Sequence, residues 1–249
     1  MASDTATQTA PEDAPPQGAT PQGATPQSST EVHHHPPSHL KSYFVSSEQQ
    51  FDAAKLGMWI FLITEMLLFS GMFVAYTVYR SQHPVAFSEA SHTLNRVMGG
   101  GNTLVLLASS LTVALSIHYA QKNQQRKAAW SLVATTALAC VFMIVKYFEW
   151  TAKFEHGVYP GEAFDPHGDH YAHLAEFPFA KQFFSIYYVM TGIHAIHVLV
   201  GVGLIAWLAT RTFRGHFSSE WYTPVEIVGL YWHLVDIIWI FLFPLLYLI

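Results

Sequence analysis

Residues 56–78 read LGMWIFLITEMLLFSGMFVAYTV, an apolar run interrupted by one charge, Glu65. A bilayer core of roughly 30 Å takes about 20 mostly apolar residues as a helix, whereas a buried helix of a soluble domain runs to only about 10–14. Inside hydrocarbon every backbone N–H and C=O must also be satisfied within the segment, so this run is predicted to be a transmembrane helix. Four more windows share its character: Gly99–Tyr119, Ala128–Trp150, Phe183–Ala209 and Ile227–Ile249. The predicted fold is therefore all-α, a polytopic bundle of five spans over residues 51–249, preceded by a polar tail over residues 1–50.

Composition points the same way. Of 249 residues 51% are hydrophobic and 12% charged, about half the charge of an ordinary soluble domain. A net charge of −5 leaves no electrostatic footprint for nucleic acid. The single cysteine, Cys140, excludes an intramolecular disulfide and a cysteine-based metal site. The tail holds seven of the thirteen prolines and the near-repeat Pro16-Gln17-Gly18-Ala19-Thr20, Pro21-Gln22-Gly23-Ala24-Thr25. It buries too little apolar surface to offset its ordering entropy and is predicted to be disordered. It has neither a basic n-region nor an apolar h-region, so it does not read as a secretory signal. His33, His34, His35 and His39 belong to this linker, which is solvated or binds metal adventitiously.

Five spans place the termini on opposite sides. Lys41, Lys55, Lys122, Arg126, Lys127, Arg211 and Arg214 flank one side, and Arg80, Arg96, Lys153 and Lys181 the other. The positive-inside rule then predicts a cytoplasmic N-terminus and an extracytoplasmic C-terminus. The stretch 151–182, rich in Glu, Asp and His, reads as an exposed extracytoplasmic loop.

Ionisable residues within spans are costly, about 2.5–3.5 kcal/mol for a charge at mid-bilayer, and are functional candidates. Glu65 has no basic neighbour within a helical turn, so it is either protonated or paired across helices. It either handles protons or fixes packing. Lys146 and Glu149, three apart, share a helix face and read as an interfacial ion pair. His233 and Asp236 have the same spacing, and a carboxylate–imidazole bond would orient the ring. Proton movement and metal ligation stay open for that pair. His194 and His197 lie among Gly192, Ala195, Gly201 and Gly203, a setting for close helix approach and interhelical hydrogen bonds. Metal ligation by these two is the alternative, but no second histidine pair at similar depth is present to complete a haem site. Asn102, Thr103, Ser109, Ser110 and Thr112 give the second span a polar face suited to helix contact. Gly99-Gly100-Gly101 lacks the lysine of a phosphate loop and reads as a flexible entry to that span.

These motifs resemble subunit III of the haem-copper terminal oxidases over nearly all of residues 51–249. Trp59–Phe69 is similar to that family's Glu-containing helix, with Glu65 on its buried carboxylate. Asn102 to Thr112 resembles its Asn-Thr…Ser-Ser-x-Thr signature. Thr191-Gly192-Ile193-His194-Ala195-Ile196-His197-Val198 resembles its Thr-Gly-x-His-Gly-x-His-Val motif, with Ala195 in place of Gly. Tyr231–Phe243 matches the last span. The third span keeps Phe142 and Glu149 but has Lys146 for the usual Gln and Ala139 for the usual Gly.

The resemblance implies a non-redox subunit of a respiratory oxidase, most naturally a cytochrome c oxidase in a bacterial plasma membrane. It would support proton delivery, stability and lipid binding of the catalytic subunit. It implies subunits I and II as partners, haem and copper in those partners and none here, and structural phospholipid. Arg211, Arg214 and His216 align with the family's lipid-headgroup cluster. Five spans resemble the short bacterial form lacking two helices, whose missing surface another subunit would cover. An accessory subunit of a quinol oxidase or nitric oxide reductase is the alternative. An independent proton-coupled transporter, which often shows internal repeats, and a stand-alone haem protein are more remote.

Overall fold

A computed structural model describes residues 41, 44–217 and 221–249. The predicted disorder and the histidine run of the tail fall on 1–40 and 42–43, outside the described residues. Helices run Ser47–Gln82 (α1), Pro84–His92 (α2), Arg96–Gln121 (α3), Gln125–Glu155 (α4), Ala180–Phe213 (α5) and Thr223–Tyr247 (α6), with short 3-10 turns at Gly161–Ala163 and Ala172–Glu176. Five of them, α1 and α3 to α6, are long and apolar enough to cross a membrane. Four of them contain a predicted span whole and overrun both its ends, while α6 starts before the fifth span and stops two residues short of its end. At 1.5 Å per residue the 36 residues of α1 extend about 54 Å, well beyond a hydrocarbon core.

Local chemistry sets the ends. Ser46 caps α1 by accepting from the Gln49 N–H at 3.1 Å, so residues 47–50 are helical rather than tail. Asn95 does the same for α3 through Met98 N–H at 3.0 Å. Pro84 opens α2, where a missing N–H costs nothing. The sequence reading did not anticipate α2, whose nine residues are too few for a span and which buries Ala86, Phe87, Ala90 and Ser91.

The core helices close on one another: α3 packs on α4 and α6, and α5 on α4 and α6. The α1 helix leans on α5 and α6 from outside, burying only Leu62, Phe69 and Tyr76, a single stripe of seven-residue period. Two expectations change. Gly99, Gly100 and Gly101 lie inside α3 rather than in a flexible entry, and a Cβ at Gly99 would meet the Phe243 ring at 2.8 Å. The stretch 151–182 is exposed over most of its length beyond α4 but not throughout. Its start continues α4, and beyond Glu155 it buries Val158, Tyr171 and Leu174, capping the bundle. Apolar side chains there gain more by packing on the helix ends than a solvated loop would.

Candidate functional site

Two polar centres sit within the spans. The first joins α1 to α5. Glu65 Oε2 lies 2.9 Å from His197 Nε2, so Glu65 is paired across helices. His197 Nδ1 contacts the Ile193 carbonyl at 2.8 Å. A carbonyl only accepts, so Nδ1 carries a proton. The Glu65–His197 contact then holds one further proton, residing on the carboxyl or on the imidazole. Phe69 stands edge-on to the ring at 5.5 Å, and Tyr231 donates to the His197 carbonyl at 3.1 Å. The pair is not sealed: its side chains keep 18% and 16% of their exposure, and His197 lines an apolar cleft of about 320 Å³ with Met58, Phe61, Val200 and Tyr231.

The second centre is more deeply buried. Glu149 accepts from Lys146 at 2.9 Å, from Lys153 at 2.8 Å and from Tyr187 at 3.0 Å. The Tyr247 hydroxyl also donates to it and accepts from Lys146 at 2.7 Å. The Lys146–Glu149 pair is therefore present but buried, not interfacial: the side chains are 7% and 6% exposed. The reason is the cap over the end of α4, which encloses what the sequence leaves looking like a helix end. Lys146 Nζ also lies 4.4 Å over the Trp239 ring. In the cap, the Tyr171 phenol is pushed above its ordinary value, first by burial and then by the Glu149 charge.

The polar face of α3 behaves as expected. Asn102 donates to the Phe142 carbonyl at 3.3 Å, Thr112 meets Thr135 at 2.7 Å, and Ser109 accepts from Trp232 at 3.1 Å. Thr103 accepts from Trp239 at 3.0 Å. Two histidine expectations do not hold. His233 meets Ser110 of α3 at 2.6 Å rather than Asp236; the same serine hydroxyl also bonds the Asp236 carboxyl, whose Oδ1 is left buried and unpartnered. His194 makes no interhelical hydrogen bond. Both ring nitrogens are buried without partners, and the ring stacks on Trp239 at 5.2 Å, edge-on to Phe142 at 5.9 Å. Aromatic packing has taken the place of the bond. Arg211, Arg214 and His216 are exposed together at the end of α5, with Arg211 5.0 Å over Trp207. No three His, Cys, Asp or Glu side chains gather as a metal site among the described residues.

The sequence model described as "Cytochrome c oxidase subunit III" matches residues 45–176 and 170–249. The chain belongs to that family. Its relatives include cytochrome c oxidase subunit 3 of Thermostichus vulcanus, 31% identical over 80% of this chain and 88% of that one. A probable quinol oxidase subunit 3 of Staphylococcus haemolyticus is 28% identical over 78% and 88%. The match to a "Heme-copper oxidase subunit I+III" of Aeropyrum pernix is 30% identical over 80% of this chain and 23% of the longer one. The chain is thus a subunit III of the haem-copper oxidase class and a multi-pass membrane protein.

Within this subunit III, the Glu65–His197 contact joins the first-span and fourth-span motifs. Lys153, Tyr187 and Tyr247 belong to the Glu149 centre and were missed by sequence reasoning. Lys153 was findable, lying four residues past Glu149 and seven past Lys146 on one helix face. The two tyrosines carry no local signal, being brought in by α5 and α6. Lys146 and Ala195 line one cavity between α4 and α5.

Proposed function

We propose that this chain serves as the non-redox subunit III of a cytochrome c-oxidising, oxygen-reducing complex, packed against subunits I and II in a bacterial plasma membrane. Its contribution is proton handling, stability and phospholipid binding around the catalytic subunit. The observation that carries this reading is the Glu65–His197 pair, which holds a shared proton at the edge of an apolar cleft. A partly exposed pair of this kind can exchange its proton.

Haem and copper reside in the partner subunits on this reading. Both nitrogens of His197 are engaged, by Ile193 and by Glu65, so it is not free to ligate, and His194 is enclosed by Trp239 and Phe142. The positive-inside count favours a cytoplasmic N-terminus and an extracytoplasmic C-terminus. Arg211, Arg214 and His216 then face the cytoplasmic leaflet, where basic side chains attract anionic headgroups.

Affinity purification in mild detergent tests the assembly. Haem is expected in the complex together with subunits I and II. A stoichiometric haem spectrum from the isolated chain overturns the non-redox role. The named quinol oxidase relative favours quinol as the second candidate donor; oxygen uptake by the purified complex with cytochrome c or with quinol separates the two.

A further inference from the structure

The Glu149 centre has one ammonium group more than its carboxylate can balance. Lys146 and Lys153 both bond Glu149, both are buried, and the other groups facing Lys146 are neutral or uncharged at their contacts: Tyr187 and His194 on α5, and Tyr247 on α6. Uncompensated buried charge in a membrane is costly. Loss of one proton would leave one ammonium against one carboxylate.

The two lysines differ in access. Lys146 lines a cavity of about 140 Å³ at the α4–α5 seam, together with Trp150, Thr191, His194 and Ala195. Lys153 is not among the lining residues and lies instead over the Tyr187 ring at 5.2 Å. The same cavity is lined by two side chains whose nitrogens have no partner in the protein: His194, through both ring nitrogens and 1% exposed, and Trp150, through Nε1. A neutral imidazole offers one donor and one acceptor and an indole one donor, while of the three donors of the Lys146 ammonium two are engaged by Glu149 and Tyr247 and one is left. Water satisfies that combination, and each molecule needs only about 10–15 Å³ of such space. A hydrocarbon chain would match only the Phe142 and Met143 side of the cavity and none of these nitrogens.

We propose that the α4–α5 cavity is a hydrated site through which Lys146 releases and regains a proton. An Nζ–H bond breaks, the electron pair stays on Nζ, and a cavity water takes up the proton and hands one on. Lys153 keeps its charge against Glu149. The reverse transfer restores the ammonium.

Reductive methylation of the intact, membrane-embedded complex tests this, with formaldehyde and cyanoborohydride as probe and mass spectrometry as readout, because only the neutral amine reacts. Lys146 is expected to be methylated several times faster than Lys153, at a rate rising by up to about ten-fold per pH unit while the ammonium form dominates. Ala195→Leu, which narrows the cavity, should slow Lys146 and leave exposed Lys122 unchanged. A Lys146 rate no faster than that of Lys153, or one flat between about pH 6 and pH 9, overturns the proposal, as does a rate unaffected by Ala195→Leu. Should that variant fail to accumulate, the comparison of the two lysines in the unmodified complex decides alone. The haem spectrum of the same sample reports assembly separately, so failure of the assembly reading is not confused with failure of this one.

Discussion

Glu149→Gln is the most informative single change. The carboxylate is the shared acceptor of Lys146 and Lys153 at 2.9 and 2.8 Å, and all three side chains are less than one-tenth exposed. Removing one partner of a buried ion pair costs about 3–5 kcal/mol, because the other charge is left uncompensated. Here two ammonium groups lose the same partner, so the upper end, about 5 kcal/mol, is expected. For a chain of this size 1 kcal/mol corresponds to roughly 2–4 °C, giving a fall of roughly 10–20 °C. The defect should shrink as pH rises, since a neutral amine needs no counter-charge. The control replaces the whole ionic set: Lys146→Met, Glu149→Leu and Lys153→Met together. Tyr187 and Tyr247 still meet at 3.2 Å, so the triple variant should lose only about 1 kcal/mol for the hydrogen bonds it forgoes. The assay is the temperature at which the purified complex loses this subunit, followed by size-exclusion chromatography. A Glu149→Gln complex within about 1 kcal/mol of wild type, or a triple variant no more stable than the single one, refutes the reasoning.

Two further perturbations have clear directions. Glu65→Gln is expected to assemble with a loss of about 0.6–1.7 kcal/mol, the range for a polar contact between transmembrane helices, while altering sustained turnover or proton pumping; if turnover, pumping ratio and inactivation rate all match wild type, the carboxylate is structural. Three glycine-to-alanine changes should rank by what the new methyl meets. Gly201→Ala would place Cβ 2.7 Å from the Trp232 ring, which is fully buried and tied to Ser109, costing about 1–3 kcal/mol. Gly229→Ala meets the flexible end of the Ile117 side chain at 2.7 Å and Val113 at 3.3 Å and should cost less, while Gly203→Ala, with nothing within 4 Å, should be neutral or stabilising in the same thermal assay.

The fold was legible because the bilayer imposes length and apolarity on each span separately, and each span carries that record in its own residues. The polar face of α3 was legible for the same reason, since Asn102, Ser109 and Thr112 serve helix contacts whichever helix arrives. What the sequence does not carry is which helix arrives. Glu65 and His197 lie 132 positions apart, and Tyr247 reaches Glu149 across 98. Three-residue spacing succeeded for Lys146 and Glu149 and failed for His233 and Asp236. Spacing puts two side chains on adjoining helical positions, but the neighbouring helices decide where each turns. On α4 both lysines point into one enclosed pocket with Glu149, whereas on α6 a serine from α3 captures the histidine.

The Glu65 prediction is interpretable only if α1 stays in place without its carboxylate. Because α1 buries only three of its 36 residues, polar ties matter more to it than to the core helices. Its ties to α5 and α6 include Lys55 to Glu226 at 2.8 Å, Glu65 to His197 at 2.9 Å, and Tyr76 to the Leu245 carbonyl at 2.5 Å. They lie ten and eleven residues apart, so about 15 Å of helix separates each from the next. Loss of the middle tie leaves both outer ones, and α1 should remain seated. The partly exposed Lys55–Glu226 pair is worth at most about 1 kcal/mol, and the Tyr76 bond about as much. The combined variant Lys55→Ala, Tyr76→Phe therefore loosens α1 at least as much as Glu65→Gln while leaving the carboxylate–imidazole pair intact. If the Glu65→Gln phenotype arises from the shared proton, the combined variant keeps normal sustained turnover although its thermal stability falls by about 2 kcal/mol. If it reproduces the turnover defect, the defect belongs to the seating of α1, and the proton-handling role of Glu65 is wrong.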